Sequence, residues 1–442
     1  MRKKYLFLII FSILFIAAIT ATRKSDVESP RLKMRDGNIV ASSEWVNTKN
    51  AIETLENDLR RNPDNNEIKL KLTQAYIQEG RITGDHNYYD ALAFSLVNEV
   101  LKSDEGNFEA LCCKATLQAS AHQFSDALQT SQVALKINPY NAYIYGIMCD
   151  AYVELGKYKE AINSGDKMVS IRPDIRSYSR ISYLREITGD YPGAIEAMKM
   201  ALNAGVPGME QTEWARTYLG KLYEITGQPE MAKSLYSQAL VHRPYFAPAL
   251  AGLGRIERSM KNYDQAIINF KSAAENMQDY SFHQELATTY QLSGKNQQAE
   301  KEFQIALDML MKHKHPTSEE FGIGHHIDRE LALVYLSVGE YESALNSARA
   351  EYERRPTNID VNEVLAWSFY KTGNSKAAFT HILKAMSTKS NNAELLYKAG
   401  IIFAANQKPN LAKMYRDNAL KINPFLDTNL LSSGNPGLAF KQ

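Results

Sequence analysis

Four of the nine histidines in this 442-residue chain fall close together, His313, His315, His325 and His326, with Glu319, Glu320 and Asp328 among them. Imidazole and carboxylate donors together suit Zn, Ni or Cu. Their spacing matches no structural zinc motif, and Lys312 and Lys314 interleave positive charges that repel a metal ion. The four histidines are therefore weak metal candidates, and a polar insertion loop is the favoured reading. Cysteine supplies little more. Cys112, Cys113 and Cys149 make an odd count with a vicinal pair, a weak basis for a disulfide. No phosphate-binding P-loop, GxGxxG after a strand, GxSxG elbow or HExxH is found. No residue is singled out as catalytic, no cofactor is implied, and the chain reads as not an enzyme. The remaining constellation is cationic and aromatic: Lys221, Arg255, Arg258 and Arg329, with Trp214, Trp367 and Tyr370. Arg and Trp are frequent binding hot spots, so these residues read either as part of a solvated face of mixed charge or as a recognition site for an acidic or carboxylate-terminated segment.

Those residues are positioned by an internal period. Ala91, Ala127, Ala161, Ala194, Ala232, Ala266, Ala299, Ala344, Ala378 and Ala412 recur in one frame. Twelve residues earlier stands a small residue, as in Ala115, Cys149, Ser182, Gly220, Gly254, Ala287, Ala332, Ala366 and Gly400; the first unit has Gln74 there once an insertion is allowed for. Gly156, Gly189, Gly227, Gly294, Gly339 and Gly373 precede the marker alanine by five, and Pro139, Pro173, Pro244, Pro356 and Pro424 close units. Units start near residues 67, 108, 142, 175, 213, 247, 280, 325, 359 and 393. Small residues at the eighth and twentieth positions let two helices approach, and an aromatic at the eleventh (Tyr152, Tyr223, Tyr290, Tyr335, Phe369, Phe403) fills the space they leave.

This frame resembles the tetratricopeptide repeat, a helix–turn–helix unit of about 34 residues; "YIYGIMCDAYVELGKYKEAINSGDKMVSIRP" shows it well. The resemblance implies an all-α, right-handed superhelical solenoid of about ten units, in which no unit covers its apolar face alone. It also implies that the stripe about 140° from the core stripe lines a concave groove. That stripe carries the cations and aromatics named above, together with Tyr143, Arg176, Tyr183 and Cys112, so Cys112 is expected to be accessible, whereas Cys149 occupies the small core position. The expected partners are protein or peptide segments, with no small-molecule substrate.

The rest of the chain fills in the organisation. Residues 1–22 combine Arg2, Lys3 and Lys4 with an uncharged apolar run, Tyr5 to Thr22. Such a run is a cleaved signal peptide or a signal-anchor helix; eighteen helical residues span about 27 Å, near the hydrocarbon thickness of a bilayer. Residues 23–43, polar and of mixed charge, read as a flexible tether, 44–66 as a capping helix, 67–424 as the array, and 425–442 as a tail. Fifty-one Lys plus Arg against fifty Asp plus Glu leave a charge of +1, too little surplus for a nucleic-acid binder. The expected function is a protein-interaction scaffold or adaptor of a bacterial cell envelope, anchored in the inner membrane or exported, with its body facing the periplasm. An envelope assembly factor or chaperone, or an accessory subunit of an enzyme or transporter, are the alternatives.

Overall fold

The computed structural model describes residues 32–35, 37–41, 43–314 and 324–432. The apolar segment 1–22, the start of the expected tether, His315, Glu319, Glu320 and the last ten residues lie outside the described residues. No described helix is long and apolar enough to cross a membrane.

Ten antiparallel helix pairs follow one another: Asn66–Thr83 with His86–Ser103, Phe108–Ser120 with Phe124–Ile137, Ala142–Glu154 with Tyr158–Ile171, Ile175–Ile187 with Tyr191–Asn203, Glu210–Ile225 with Pro229–His242, Ala247–Ser259 with Tyr263–Asn276, Tyr280–Leu292 with Asn296–Lys314, Asp328–Val338 with Tyr341–Arg354, Ile359–Lys371 with Ser375–Ala385, and Ala393–Ala405 with Pro409–Ile422. They are units 1 to 10 below. No strand occurs among the described residues. Helix starts are set locally. Asn65, Asn107, Asn141, Asn358 and Asn392 accept a backbone N–H of the first turn that has no helical partner, and prolines stand in the first turn of Pro229–His242 and Pro409–Ile422.

The frame positions are where the helices touch. In unit 4 the Ser182 hydroxyl donates to the Ala194 carbonyl at 2.7 Å, joining the eighth and twentieth positions. A Cβ on Gly220 would stand 2.6 Å from the Tyr236 ring, and one on Gly254 2.8 Å from Phe270. Larger residues there force the pair apart, an overpacking cost of about 1–3 kcal/mol. Unit 1 departs from the frame expected for it: Thr73 is its buried small residue, Tyr89 and Ala93 are buried, and Ala91 is only half-buried. Tyr89 fills the space that alanine leaves elsewhere, resting against Tyr76 with 6.1 Å between ring centres.

The flexible tether expected over 23–43 is corrected along its second half. Residues 32–35 and the 3-10 turn Gly37–Ala41 are docked on the solenoid, and the following helix, Ser43–Arg61, buries Trp45 and Ile52. Arg35 is buried and bonds the Glu79 carboxylate of unit 1 (Nε–Oε2 3.0 Å). Removing either partner by substitution strands the other's charge, at a cost of about 3–5 kcal/mol. A docked segment held by an ion pair has no apolar periodicity, which is why it reads as a tether. At the other end, Thr428–Ser432 follows unit 10, and Leu426 packs with Ala393, Leu396 and Ile422.

Six units complete one superhelical turn, and the turns touch. Gln278 N–H at the entry to unit 7 donates to Thr83 O of unit 1 (2.8 Å). His326 N–H before unit 8 donates to Ala121 O of unit 2 (3.2 Å). Before unit 9, Arg355 pairs with Glu154 of unit 3, Thr357 Oγ1 donates to Leu155 O (2.9 Å), and Ile359 N–H donates to the Tyr158 hydroxyl (2.7 Å). Asn391 Nδ2 before unit 10 donates to Gly189 O of unit 4 (3.0 Å). The glycine ending the first helix is thereby constrained twice. Gly84 and Gly156 have φ of +77° and +69°, and an added Cβ would meet Gln278 O at 2.2 Å and the Thr357 carbonyl carbon at 2.4 Å. Gly373 shares the left-handed backbone (φ +84°) but faces open space.

A pair of glycine variants tests this seam. Gly373→Ala should cost about 1 kcal/mol for the left-handed backbone alone, and Gly156→Ala about 1–3 kcal/mol more for the clash across the turns; denaturant midpoints of the two variants measure the difference. Near the same seam, burial, helped by the neighbouring His313, pushes the His325 imidazole down to about 4. A free histidine titrates near 6.5. Between those values the unfolded chain takes up a proton that the folded chain refuses, so stability falls as pH drops from about 6.5 towards 4. His325→Gln should flatten that fall by up to about 1.4 kcal/mol per pH unit, read as unfolding midpoints at a series of pH values.

Candidate functional site

The first helix of each pair turns its polar stripe inward, and closure of the first superhelical turn makes that concave face a lumen. It encloses a cavity of about 1270 Å³, walled by first helices of units 1 to 7, by the loop 243–246, and by Arg35, Asn38, Ile39 and Glu44 of the docked N-terminal stretch.

Of the residues expected to bind partners, Trp214, Lys221 and Arg255 line this cavity. Trp214, 40% exposed, packs on Tyr218 with ring centres 5.1 Å apart. Tyr218 donates to Glu186 (2.6 Å), and Lys221 stands 4.8 Å above the Tyr218 ring and 3.7 Å from the same carboxylate. Arg255 is engaged: it bonds Glu224 through Nε (2.9 Å) and Nη2 (3.1 Å), and the Tyr236 hydroxyl donates to Glu224 as well (2.7 Å).

The other expected residues lie elsewhere. Arg258 pairs with Glu285 beside the Phe270 ring. Arg329 lies 3.4 Å from Glu330 and 3.8 Å from Asp360. Trp367 is buried, stacked on Tyr370 at 5.0 Å, with Lys371 Nζ 4.9 Å from its ring. None of these lines the cavity. The four cations thus do not form one bare basic cluster: Arg258 lies at the end of the helix that carries Arg255, against Glu285, Arg329 belongs to the next superhelical turn, and a carboxylate stands beside each of the four.

The cation left over is Arg176. It projects from the first turn of Ile175–Ile187 into the cavity, exposed, with its guanidinium 5.6 Å from the Tyr143 ring. Among the described residues no carboxylate lies within 4.0 Å of it. Its neighbour Arg180 is occupied by Asp150 (2.9 and 2.6 Å) and by the Gly146 carbonyl (3.2 Å). Tyr143 is fixed by its hydroxyl contact with Thr116 (2.8 Å). Arg176 and Tyr143 stand on the inward stripe of the repeat, so their place was legible; that Arg176 lacks an acid was not.

A Ser–His–Asp cluster sits at the cavity rim. Ser120 Oγ donates to Asp90 (2.6 Å), and His86 Nδ1 contacts the same carboxylate at 3.1 Å. Burial by itself would lower the His86 imidazole, but the bond to Asp90 and its charge outweigh that and raise it. A hydroxyl bonded to the acid, beside an imidazole biased towards its cation, has no base to activate it. The thiols offer no nucleophile either: burial raises Cys112, Cys113 and Cys149 to about 12. Cys112, expected to be accessible, is buried, because its place on the first helix of unit 2 packs against unit 3, with Ile144 and Met148.

Of the histidine stretch, His313, His325, His326 and Asp328 are described. His313 and His325 meet edge to face with ring centres 5.4 Å apart, and the His326 carbonyl bonds His122 Nδ1 at 2.9 Å. No group of three His, Cys, Asp or Glu side chains placed to hold a metal occurs among the described residues.

No protein-family model matches the chain. Among solved structures it is similar to a thermophilic TPR protein of Thermus thermophilus (19% identity, 46% of this chain and 100% of that one, TM-score 0.38). It is also similar to a tetratricopeptide repeat protein from Parabacteroides merdae (14% identity, 55% and 93%, TM-score 0.40), and to a human IFIT1 dimer solved with m7Gppp-AAAA (15% identity, 90% and 92%, TM-score 0.46). The alanine and glycine frame in the residues, and the ten stacked helix pairs it produces, give this chain the fold of a tetratricopeptide-repeat solenoid.

Proposed function

We propose that the chain is a non-catalytic protein-interaction scaffold that holds an extended, carboxylate-bearing partner segment in the lumen of its first superhelical turn. The observation that carries this reading is one wall of the cavity, where Arg176 has no carboxylate within 4.0 Å among the described residues and Trp214 is 40% exposed. An arginine against an aromatic face keeps its fork of donors free for a carboxylate. Tyr143, Tyr218 and Trp214 offer flat, rigid area at low entropic cost. The other lumen cations, Arg180, Lys221, Arg243 and Arg255 among them, each stand beside a carboxylate, so they shape the channel and leave the affinity to this wall.

The cellular setting belongs to the same proposal. The basic start and apolar run of residues 1–22 support an anchored or exported body in the cell envelope, where a rigid scaffold holds the components of an envelope complex together.

The test is capture of the native partner from membranes by the full chain, with cross-links from Lys221 mapped by mass spectrometry. Arg176→Glu and Trp214→Ala should each weaken binding by about 2 kcal/mol or more, roughly thirtyfold, with helicity and melting unchanged. Raising the salt concentration should weaken the wild-type complex. Full retention of the partner by Arg176→Glu, or substrate turnover by the purified chain alone, would refute the reading.

A further inference from the structure

We propose that the docked N-terminal stretch, residues 32–35, 37–41 and Glu44, is a releasable strap that closes the side of the lumen, and that its undocking admits a partner segment laterally. The proposal rests on the lumen reading above, but its test reads the lumen itself without any partner. Its failure would leave the binding proposal standing.

The strap spans the place where the first superhelical turn meets itself. On unit 1 it is held by Arg35 to Glu79 (3.0 Å) and by Lys33 to Asp85 (2.7 Å). On the far lip, Asn38 N–H donates to Asn276 Oδ1 at the end of unit 6 (2.9 Å), and Glu44 pairs with Arg243 between units 5 and 6. Beneath it, among the described residues, Gln278 N–H to Thr83 O (2.8 Å) is the one backbone-to-backbone tie, and Arg81 of unit 1 pairs with Glu210 of unit 5. Arg35, Asn38, Ile39 and Glu44 themselves line the cavity, so the strap is a wall of the lumen and not an ornament on its outside.

The nature of the hold makes it releasable. Gly37 and Asn38 are exposed, Ile39 is half-buried and Met34 is 58% exposed. Leu32 packs against the unit 1 core and Arg35 stands over Trp45, so the strap's apolar hold is confined to its first residues, and its ion pairs, the buried Arg35–Glu79 pair included, regain water on both partners when it lifts. Segments with few buried apolar contacts open at free energies well below that of global unfolding. The deeper seams, by contrast, are set into loops with packed helices on both sides. The seat on unit 6 is shaped for a bare backbone: Gly37 has φ +60°, and a Cβ there would stand 2.5 Å from Glu275 O and 2.8 Å from Asn276 Oδ1. One methyl group therefore unseats the strap without entering the core of any repeat.

The experiment uses the full chain carrying Ser179→Cys, which places a thiol on the cavity wall; the three native thiols are buried. Its reaction is followed with a small maleimide and with a maleimide held by a short linker on a bulky branched polymer. Adding Gly37→Ala should accelerate the polymer reaction on the order of tenfold, one decade in the docking equilibrium, and leave the small reagent unaffected. Hydrogen exchange of residues 32–41 should quicken in the same variant. Gly373→Ala, equally strained in backbone but remote from the strap, should change neither rate. An unchanged polymer rate alongside faster exchange at 32–41 would overturn the gating role. Unchanged exchange in Gly37→Ala would overturn the seating at Glu275. Equal rates for both reagents in the parent would show that the side is already open.

Discussion

A carbonyl set against a glycine that has no side chain is the contact that closes this solenoid. Where Gly84 meets Gln278 and Gly156 meets Thr357, two turns of the superhelix approach to a separation that no Cβ allows. The same glycines end the first helices of their units in the left-handed conformation. One residue type thus satisfies a local demand, stopping a helix, and a distant one, admitting another backbone. With the turns in contact, the concave face cannot splay like an open spring. It becomes a lumen of fixed bore, and most charges on the inward stripe find their partners inside it.

That enclosure governs the electrostatics. Charges withdrawn from water are tolerable only when paired, and the lumen obeys this almost throughout: Arg180 with Asp150, Arg255 with Glu224, Arg243 with Glu44, Arg81 with Glu210. Even the tyrosines join in, Tyr218 donating to Glu186 and Tyr236 to Glu224. Against this background Arg176 differs: it is exposed on the wall, its guanidinium 5.6 Å from the Tyr143 ring, with no carboxylate within 4.0 Å among the described residues.

How much of this could be read from the residues depends on the range of the interaction. The helix pairs were legible because the small eighth position and the alanine at the twentieth are packed within a single unit; Ser182 bonding Ala194 is that spacing made physical. Unit 1 slipped because Tyr89 does with an aromatic what the other units do with alanine. The strap was misread as a tether because Arg35 and Glu79 form a buried pair between polar segments, which leaves no periodic mark. The seam was illegible altogether: Glu154 and Arg355 are 201 residues apart, with nothing in either neighbourhood to announce the other. The groove was half legible. Its stripe predicted Trp214, Lys221 and Arg255 on the inner wall, but a pitch of six units, invisible locally, sends Arg329, Trp367 and Tyr370 to other surroundings.

The six-unit pitch also bears on how such a chain can change over time. In an open solenoid a repeat is a spare part, and duplication or loss of one unit alters length and little else. Here each early unit is matched to a specific loop one revolution ahead: Tyr158 to Ile359, Gly189 to Asn391, Ala121 to His326. Inserting or deleting a single module in the middle would preserve every neighbour-to-neighbour junction and yet misalign all of these pairings at once. The array therefore drifts as one indivisible object, and gains or losses of whole repeats are confined to its ends.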